Sequence, residues 1–496
     1  MTTLHSLFRR VGAVGLFQVE TVSGGLDARQ FSRAVMGTTQ ALAAAGIGRD
    51  DVVLFQGGQC LEALLVFWAT VLRGAVFAPV DPTWPPYLLS KAVARVRPAL
   101  AVVDQPHLAF WAEHLPAIPL LRHQGLGGEA DICPAVTDIA PAAPAAYLFT
   151  SGSTGDPKVV VHSHEALIRS ARLVVDTFDW QAQERLLNLP EPHTMSGLRN
   201  AFLAAPMAGM TWCCSPAAER QNIFSLIDVI ERAQPQRLVA APLLLRQINL
   251  LGARVAPEAL ASLQAVYCTG ADLNHAEVRR FHERYRVPVV NYYGLTETVG
   301  LCLSQDVRQW SVDDDSLGLA RGCDIRLMGP AGPVGEGEIG ELQVCMPLPM
   351  SGYLADPDAT EHMFDGAWLR TGDLAQRDAQ GRIRVVGRSS SFIKTLSTEK
   401  VLPQEIEMML EQHDGVAEAA VCGVADVAGG ERIAALIVAA EAAEPASLAA
   451  DQLADFVRHR LGAARVPAIF RVVPEIPRSA NGKILRKQLR ALLDEA

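Results

Sequence analysis

The sequence predicts an α/β fold in which mixed, mostly parallel sheets are layered with helices. A helical spacing of apolar residues over 26–46 precedes an apolar strand pattern at 51–55, and a helix at 61–73 precedes a strand at 74–80. Strands that alternate with helices indicate a mostly parallel sheet covered on both faces. The same rhythm returns further along the chain at 236–241, 265–268 and 288–292. These segments predict a large N-terminal domain at 1–388.

A change of composition beyond about residue 320 predicts a β-rich subdomain and then a smaller α+β domain. Gly, Pro and Asp become frequent there, and 341–345 and 382–386 have the pattern of antiparallel strands. The polar run at 389–391 predicts a linker, so we expect a C-terminal domain at 389–496. Its predicted elements are a helix near 404–412, strands at 416–424 and 431–440, a helix at 448–461, a strand at 469–473 and a terminal helix from 484.

Composition excludes several classes of protein. Hydrophobic residues make up 49% of the 496 residues and charged residues 20%, which is typical of a globular chain. The net charge of −10 argues against nucleic-acid partners, which select basic surfaces. The most apolar run, 63–72, is about half as long as a membrane span, so no membrane partner is expected. The nine cysteines form no CxxC pair, which argues against a zinc site and favours a reduced, cytoplasmic location.

The densest group of chemistry-bearing residues lies between two apolar strand patterns, at 146–149 and 159–161. Hydroxyls, glycines and a lysine supply backbone N–H groups, side-chain donors and a positive charge, which are the components of a polyphosphate site. The lysine does not follow a glycine and a strand comes next, so the loop is not a Walker A motif. The alternative is a Ser/Gly-rich hairpin loop without a ligand. The candidate residues are Thr150, Ser151, Gly152, Ser153, Thr154, Gly155 and Lys158.

This loop, TSGSTGDPK, resembles the phosphate loop of the adenylate-forming superfamily, which includes acyl- and aryl-CoA ligases, luciferases and the adenylation domains of peptide synthetases. Further stretches similar to superfamily motifs occur in the superfamily's order and span nearly the whole chain. They are GAVFAPVDPTWP at 74–85, NYYGLTE at 291–297, GEL at 340–342, RTGDL at 370–374, GR at 387–388 and PRSANGKILR at 477–486. The resemblance implies ATP and Mg²⁺ as cofactors and a small C-terminal domain that is mobile.

The stretch 291–297 resembles the adenine and magnesium motif of the superfamily. Asn291 offers an amide for the adenine edge, Tyr293 offers a ring for stacking, and Thr296 offers a hydroxyl for the α-phosphate. Glu297 offers a carboxylate, a ligand that Mg²⁺ prefers. The alternative is a buried strand end with a helix cap at Thr296. The resemblance adds three small residues to the nucleotide site, which are Gly270, Ala271 and Gly294.

Three charged residues near the C-terminal domain complete the implied reaction site. Asp373 follows a strand in a Gly-Asp turn, and its carboxylate matches two ribose hydroxyls; the alternative is an exposed Asx turn. Arg388 resembles an arginine that contacts the ribose near the hinge, and the alternative is a surface arginine. Lys483 resembles the lysine that bridges the acyl carboxylate and the phosphates, where a cation offsets developing charge. The alternative is a solvated lysine, but we expect Lys483 to be catalytic, together with Glu297 and His193.

His193 resembles a histidine that lines the acyl pocket of acyl- and aryl-CoA ligases and gates access to the carboxylate, although a lone histidine is often structural. Amino-acid-activating members place an Asp near here and favour Pro where this chain has Leu295. We therefore expect a small carboxylic acid without an α-amino group. A mostly apolar pocket for an aryl or acyl group is predicted from 193–198, 240–244, 266–271 and 292–301. Its predicted residues are His193, Ser196, Gly197, Gly270, Tyr292 and Val299.

The hinge region departs from the superfamily pattern. Ser390 replaces the hinge aspartate, Val159 replaces a glycine after the loop lysine, and the glycines of the loop at 389–400 are missing. In relatives the small domain rotates about the hinge, and a phosphopantetheine thiol of CoA or of a separate carrier protein attacks acyl-AMP. Bulkier side chains would narrow the tunnel for that arm. Three alternatives therefore stay open, namely an amino acid activated for a separate carrier protein, transfer of acyl-AMP to an amine, and a non-catalytic ATP-binding protein.

Overall fold

The structure is a computed structural model, and it describes residues 2–21, 24–124, 126–131, 138–151, 157–220, 222–388, 392–394, 400–426, 431–440, 443, 448–478 and 484–494. The contacts divide the chain into two compact units. The first comprises Met1–Thr269, Leu273–Asp324 and Val344–Leu369. The second comprises Gly270–Asp272, Ile325–Gln343 and Arg370–Ala496. The linker predicted at 389–391 lies outside the described residues, so the domain boundary between 388 and 389 stays a prediction.

The helices alternate with strands along most of the chain. In the first unit the helices are α1 (Leu4–Val14), α2 (Ala28–Ala44), α3 (Leu61–Leu72), α4 (Pro86–Val96), α5 (Leu108–His114), α6 (His164–Phe178), α7 (Met195–Arg199), α8 (Ala205–Ala208), α9 (Ile223–Ala233), α10 (Leu243–Leu251), α11 (His275–Tyr285) and α12 (Pro357–Met363). In the second unit they are α13 (Pro403–Leu410), α14 (Ala450–Leu461) and α15 (Arg486–Asp494).

The strands are numbered in chain order. The first are β1 (Gln18–Thr21), β2 (Gly24–Leu26), β3 (Val52–Gln56), β4 (Val76–Val80), β5 (Leu100–Val103), β6 (Leu120–Arg122), β7 (Pro144–Ser151), β8 (Pro157–Ser163), β9 (Arg185–Asn188), β10 (Thr211–Cys213), β11 (Arg237–Ala240), β12 (Ala265–Cys268), β13 (Val289–Leu295), β14 (Gly300–Ser304) and β15 (Leu319–Ala320). They are followed by β16 (Asp324–Gly329), β17 (Gly332–Pro333), β18 (Gly340–Cys345), β19 (Gly352–Tyr353), β20 (Phe364–Asp365), β21 (Trp368–Arg377), β22 (Ile383–Arg388), β23 (Ile393–Lys394), β24 (Lys400–Val401), β25 (Val416–Ala425), β26 (Glu431–Ala439) and β27 (Ile469–Val472).

Two sheets form the frame of the first unit. One has the order β15-β14-β13-β12-β11-β9-β10-β1-β2, and its neighbours from β13 to β1 are parallel. The other has the order β19-β8-β7-β4-β3-β5-β6, in which the strands from β7 to β6 are parallel and β8 and β19 are antiparallel. The predicted mixed, mostly parallel arrangement is confirmed.

Continuous apolar segments explain why these strands and helices are buried. All residues of β3 are buried, as is the run Ala63–Leu72 within α3. Strands covered on both faces need no alternation of polar residues. The predicted buried helix at 61–73 is therefore confirmed. In the part of the chain that the structure describes, no helix combines the length and apolar character that crossing a bilayer requires.

The second unit combines a β-rich part with an α+β part. In the β-rich part β21 and β22 are antiparallel, which places Asp373 opposite Arg388. In the α+β part β25 and β26 are antiparallel and β27 is parallel to β26. Helices α13 and α14 contribute Ile406 and Leu453 to one apolar core with this sheet. The helices and strands predicted for the C-terminal domain are confirmed.

Candidate active site

The stretch 291–297 forms the end of β13 and the start of a tight turn into β14. The Leu295 N–H donates to the Thr298 hydroxyl over 2.8 Å, and this hydroxyl donates to the Gly300 carbonyl over 2.8 Å. Gly294 is required because a Cβ atom there would lie 1.6 Å from the Gly300 carbonyl oxygen. The turn, rather than a helix, therefore fixes the backbone of the last two motif residues.

Val299, in the same turn, has a backbone conformation that β-branched residues rarely adopt. Its φ is +55°, in the left-handed region, which costs about 1–2 kcal/mol for an L-residue. The side chain is buried, and the Ser170 hydroxyl donates to the Val299 carbonyl. Residues held in such conformations cluster at active sites and ligand clamps. The turn is thus a candidate site on backbone geometry alone.

Glu297 is a buried carboxylate that accepts a hydrogen bond from a neutral phenol. It is 9% exposed, and the Tyr353 hydroxyl donates to its Oε1 over 2.8 Å. Burial, and then the charge of Glu297, raise the pKa of Tyr353, so the phenol stays protonated. Strand β19 positions Tyr353 by pairing it with Val160 of β8. Among the described residues, no Lys or Arg lies within ion-pair distance of the Glu297 carboxylate.

Lys158 is linked to this carboxylate through the ring of Tyr353. Its Nζ lies 4.7 Å from the ring centroid, which is a cation–π distance. Strand pairing between β7 and β8 places Lys158 opposite Thr150. Lys158, Tyr353 and Glu297 form the Glu297 cluster. Thr150 and Lys158 of the predicted phosphate loop are described, and Ser151 is described in its backbone alone. Four further loop residues lie outside the described part, namely Gly152, Ser153, Thr154 and Gly155.

The Glu297 cluster fits a hard divalent cation. Burying a carboxylate without a cationic partner is costly, and Mg²⁺ binds in proteins through one or two carboxylates together with substrate phosphates. Glu297 has the chemistry and the burial of such a ligand. A separate group of possible metal ligands, Cys60, Glu62 and His123, has ligand atoms within 4.8 Å of one another. That group contains none of the predicted site residues.

The other residues of 291–297 are held by neighbouring segments of the first unit. The Asn291 N–H donates to the Gln305 side chain over 2.9 Å, which ties β13 to the segment after β14. The Tyr292 hydroxyl donates to the Ser196 hydroxyl over 3.1 Å. This bond brings together two of the residues predicted for the acid pocket. Half-buried positions are taken by Asn291, Tyr293, Gly294 and Thr296.

Four of the predicted nucleotide residues belong to the second unit, namely Gly270, Ala271, Asp373 and Arg388. Gly270 is exposed with φ +91°, so its conformation requires glycine. Asp373 is 3% exposed, and Arg388 Nε donates to its Oδ1 over 2.7 Å. The predicted Gly-Asp turn is wrong, because pairing with β22 keeps Asp373 inside β21. Its burial also excludes the exposed Asx turn, and Arg388 is an ion-paired residue at the end of β22.

His193 lies near two carboxylates of the first unit. Its Nε2 is 3.7 Å from Asp81 Oδ2. Burial lowers the pKa of His193, and the charges of Asp81 and Glu191 oppose that shift. Glu191 is itself held by the guanidinium of Arg220 over 2.9 Å and by the Gln59 N–H over 2.6 Å. The loop that carries His193 is therefore anchored by a half-buried ion pair.

The sequence patterns do not predict Glu191 and Tyr353 as positioning residues. A Cβ atom at Gly197 would lie 1.9 Å from the Glu191 carbonyl oxygen, so the glycine reflects a close backbone approach. The glycine gives a weak signal for that contact, but it does not name the partner. Tyr353 lies in a segment of short strands and turns, where the sequence gives no sign of its partner Glu297.

Lys483 and the predicted hinge residue Ser390 lie outside the described residues. The nearest described residues before and after Lys483 are Arg478 and Ile484, and these two form an antiparallel bridge. Arg486, at the start of α15, is paired with Glu407 over 2.6 Å. The roles of Lys483 and Ser390 stay predictions.

Comparison with known proteins identifies the family. The profile described as AMP-binding enzyme matches residues 24–354, and the profile described as AMP-binding enzyme C-terminal domain matches 405–483. A 4-chlorobenzoate–CoA ligase from Arthrobacter sp is 28% identical, with 98% of this chain and 94% of that protein covered. A sulfoacetate–CoA ligase from Cupriavidus necator is 30% identical, with 98% and 90% covered.

Solved structures agree with this assignment. The amide bond synthetase McbA from Marinactinospora thermotolerans superposes with a TM-score of 0.86 at 25% identity, with 99% of each chain covered. The chain therefore belongs to the AMP-binding enzyme family, and it is an adenylate-forming ligase of the acyl-CoA-synthetase type.

Proposed function

We propose that this ligase uses ATP and Mg²⁺ to activate an aryl or acyl carboxylic acid without an α-amino group. The acyl group then passes to a phosphopantetheine thiol of CoA or of a separate carrier protein. The observation that carries the proposal is the Glu297 cluster beside the strained turn. A buried carboxylate without a cationic partner among the described residues, linked through a phenol to a lysine, suits a magnesium–polyphosphate complex.

In this proposal the residues divide the nucleotide between them. Glu297 holds Mg²⁺, which offsets phosphate charge when it is bound. Asn291 and Tyr293 bind the adenine, and Asp373 with Arg388 binds the ribose. The phosphates are held by Thr296 and by the loop residues Thr150, Ser151, Gly152, Ser153, Thr154, Gly155 and Lys158. Small residues leave room for the base, and they are Gly270, Ala271 and Gly294.

The proposed first step joins two anions. A carboxylate oxygen attacks the α-phosphorus in line, the bond from that phosphorus to pyrophosphate breaks, and acyl-AMP forms. Lys483 supplies the cation that offsets the repulsion between the reactants. His193 lines the acid pocket. In the second step, after rotation about Ser390, a thiol sulfur attacks the acyl carbon, the carbon–oxygen bond breaks, AMP leaves and the thiol proton passes to solvent.

The relatives support an acid and CoA as substrates but leave the acid open. One is named for an aromatic chloro acid and the other for a short sulfonated acid. These acids differ in shape and in charge. The names therefore support the reaction class more strongly than any particular pocket.

The test is acid-dependent exchange of labelled pyrophosphate into ATP across a panel of carboxylic acids and their α-amino analogues. We expect exchange with at least one acid and a preference for the deamino member. Lys483→Ala is expected to lower that exchange by about 100- to 1000-fold. Lys91→Ala, at a lysine over the Tyr87 ring on α4, is the matched control and is expected to keep full activity. ATP binding without exchange on any acid would contradict the proposal.

A second candidate function is transfer of acyl-AMP to an amine. It is favoured by the altered loop at 389–400 and by the similarity to an amide bond synthetase. CoA, a phosphopantetheinylated carrier protein and a panel of amines would be offered in parallel to the enzyme with its best acid. Thioester formation supports the first candidate. Amide formation faster than thioester formation supports the second.

A further inference from the structure

Arg199 is a fully buried guanidinium with incomplete hydrogen bonding. It is 0% exposed, at the last residue of α7. Its Nε donates to the Asn200 side-chain oxygen over 2.9 Å, whereas Nη1 and Nη2 have no hydrogen-bond partner in the described part of the chain. No described carboxylate lies within ion-pair distance of it. An unpaired buried charge costs several kcal/mol, so a partner is expected.

The surroundings of Arg199 are those predicted for the acid pocket. Ser196 lies three residues earlier, on the same face of α7. Tyr292, which donates to Ser196, has its ring centroid 5.9 Å from the Arg199 Cζ. A Cβ atom at Gly300 would lie 2.0 Å from Nη1, so the guanidinium fills the space beside that glycine. The guanidinium thus lies beside Tyr292 and Gly300, which belong to the stretch 292–301 predicted to line the pocket.

The backbone and the side-chain contacts fix the direction of this guanidinium. A π-helical turn spans Asn200–Ala204 directly after Arg199, and such turns are frequent at functional sites. The Asn200 amide donates to the Asn188 side-chain oxygen over 3.3 Å, and the Asn188 amide donates to the Pro190 carbonyl over 3.2 Å. This chain anchors Nε. The two outer amino groups, which form the fork that binds an oxyanion bidentately, are left for a ligand.

The electrostatics agree with this geometry. Burial lowers the pKa of Arg199, and the phenol of Tyr292 and the thiol of Cys302 oppose that shift only in part. A guanidinium still remains protonated in proteins. A bound anion would supply the charge that the described protein groups do not.

On the basis of the proposed function, we propose that Arg199 is the anion-binding residue of the acid pocket. The substrate acid accordingly carries, besides its reacting carboxylate, a second oxyanion such as a carboxylate or a sulfonate. The stretch 193–198, which is predicted to line a mostly apolar pocket, ends one residue before the charged Arg199. If Arg199 instead bound the reacting carboxylate, it would affect every acid equally, and that is an outcome of the test.

The test compares matched acids that differ in the second anion. Pyrophosphate exchange is measured with benzoate against benzene-1,4-dicarboxylate and 4-sulfobenzoate, with butanoate against butanedioate, and with hexanoate against hexanedioate. The wild type is expected to prefer the dianionic member of at least one set by about 100-fold in kcat/KM. Arg199→Met is expected to remove that preference, and Arg199→Lys to restore part of it through a single-point contact.

Stability gives an independent readout. Arg199→Met is expected to melt no lower than the ligand-free wild type, because an apolar side chain replaces an unpaired buried charge. The control is Arg237→Met, because Arg237 is a buried arginine that is already paired. This variant is expected to leave the substrate ratio unchanged. If Arg199→Met is insoluble, the substrate ratios of the wild type and of Arg199→Lys test the inference instead.

Two results would overturn the inference. The first is wild-type preference for the singly charged acid in every set, and the second is an unchanged ratio in Arg199→Met, whether both members lose activity equally or neither does. In each of these results exchange is still observed, so the proposed function stands. Absence of exchange with any acid overturns the proposed function and this inference together.

Discussion

Two buried polar regions of the first unit differ in how their charges are paired. In the Arg237 cluster, formed by Glu184, Arg237 and Tyr267, the guanidinium bonds the Glu184 carboxylate at 2.7 and 3.1 Å and the phenol at 3.3 Å. Burial acts to lower the pKa of Arg237, but the contacts with Glu184 and Tyr267 together outweigh burial and the pKa is raised. In the Glu297 cluster a neutral phenol is the carboxylate's only side-chain partner among the residues that the structure describes, and a strained turn lies next to it.

This difference distinguishes charges that stabilise the fold from charges that are proposed to bind ligands. Charges that hold the sheets together are paired within the chain, because a buried charge without a partner is destabilising. The Glu297 cluster and Arg199 depart from that rule where the proposed ligands bind. Departures of this kind are expected at functional sites, where the rest of the fold compensates for them.

The largest expected effect is the loss of activity on Glu297→Gln. The amide keeps the shape and accepts the Tyr353 hydrogen bond, but it removes the charge that Mg²⁺ requires. We expect pyrophosphate exchange to fall about 100- to 1000-fold, with the free energy of unfolding within about 1 kcal/mol of wild type. Exchange across a Mg²⁺ titration and urea unfolding measure the two quantities. If Glu297→Gln exchanged pyrophosphate at the wild-type rate, the functional role assigned to the Glu297 cluster would be contradicted.

Glu184→Gln tests the stabilising role of the Arg237 cluster. It leaves the Arg237 charge buried without its carboxylate, so we expect a loss of about 3 kcal/mol in the free energy of unfolding. Activity per folded molecule is expected to remain. Glu219→Gln is the matched control, because its partner Arg232 is 57% exposed and such pairs contribute less than about 1 kcal/mol. Equal losses in the two variants in urea unfolding would contradict the role assigned to the Arg237 cluster.

A pair of valines tests whether the turn is strained. Val299→Gly relieves a left-handed conformation while it removes a buried side chain, so we expect the free energy of unfolding to change by less than about 1 kcal/mol. Val266→Gly, at an equally buried position of β12, has no strain to relieve and is expected to lose about 3 kcal/mol. Urea unfolding of both variants gives the comparison. Similar losses would show that φ +55° at Val299 stores no strain.

The smallest expected effect concerns the pH dependence at His193. Burial lowers its folded-state pKa below the value of about 6.5 in an unfolded chain, so the unfolded state binds more protons between the two values. Stability from this residue is therefore present above pH 6.5 or so and is lost as the pH falls toward the folded-state pKa. His193→Asn removes the effect. The stability of wild type relative to the variant should decline with falling pH by at most about 1.4 kcal/mol per unit, whereas a constant difference would contradict it.

The fold was predictable because its signals are local. Apolar runs such as 265–268 and the helical spacing at 26–46 correspond to β12 and α2. The C-terminal elements followed from the same periodicities. Asp373 shows the limit of local patterns, because a Gly-Asp pair indicates a turn, but the pairing of β21 with β22 keeps the residue in a strand.

The candidate site was predictable in its residue types but not in its partners. The motif at 291–297 named Glu297, but Tyr353 lies 56 residues away and meets it only because β19 pairs with β8. The positive φ of Val299 has no counterpart in its residue type, which disfavours that conformation. The place of the Arg199 guanidinium depends on the close approach of α7 to Gly300 of β14. Each of these features arises from tertiary contacts that periodicity does not encode.

The most direct measurement of the central claim follows the oxygen atoms of the acid. The enzyme would be given ATP, Mg²⁺, CoA and its best acid labelled with ¹⁸O in both carboxylate oxygens, and the products would be weighed by mass spectrometry. Attack of the carboxylate on the α-phosphorus predicts AMP that carries one ¹⁸O atom, pyrophosphate that carries none, and an acyl product that retains the other. Label in phosphate with release of ADP, or unlabelled AMP, would contradict the account.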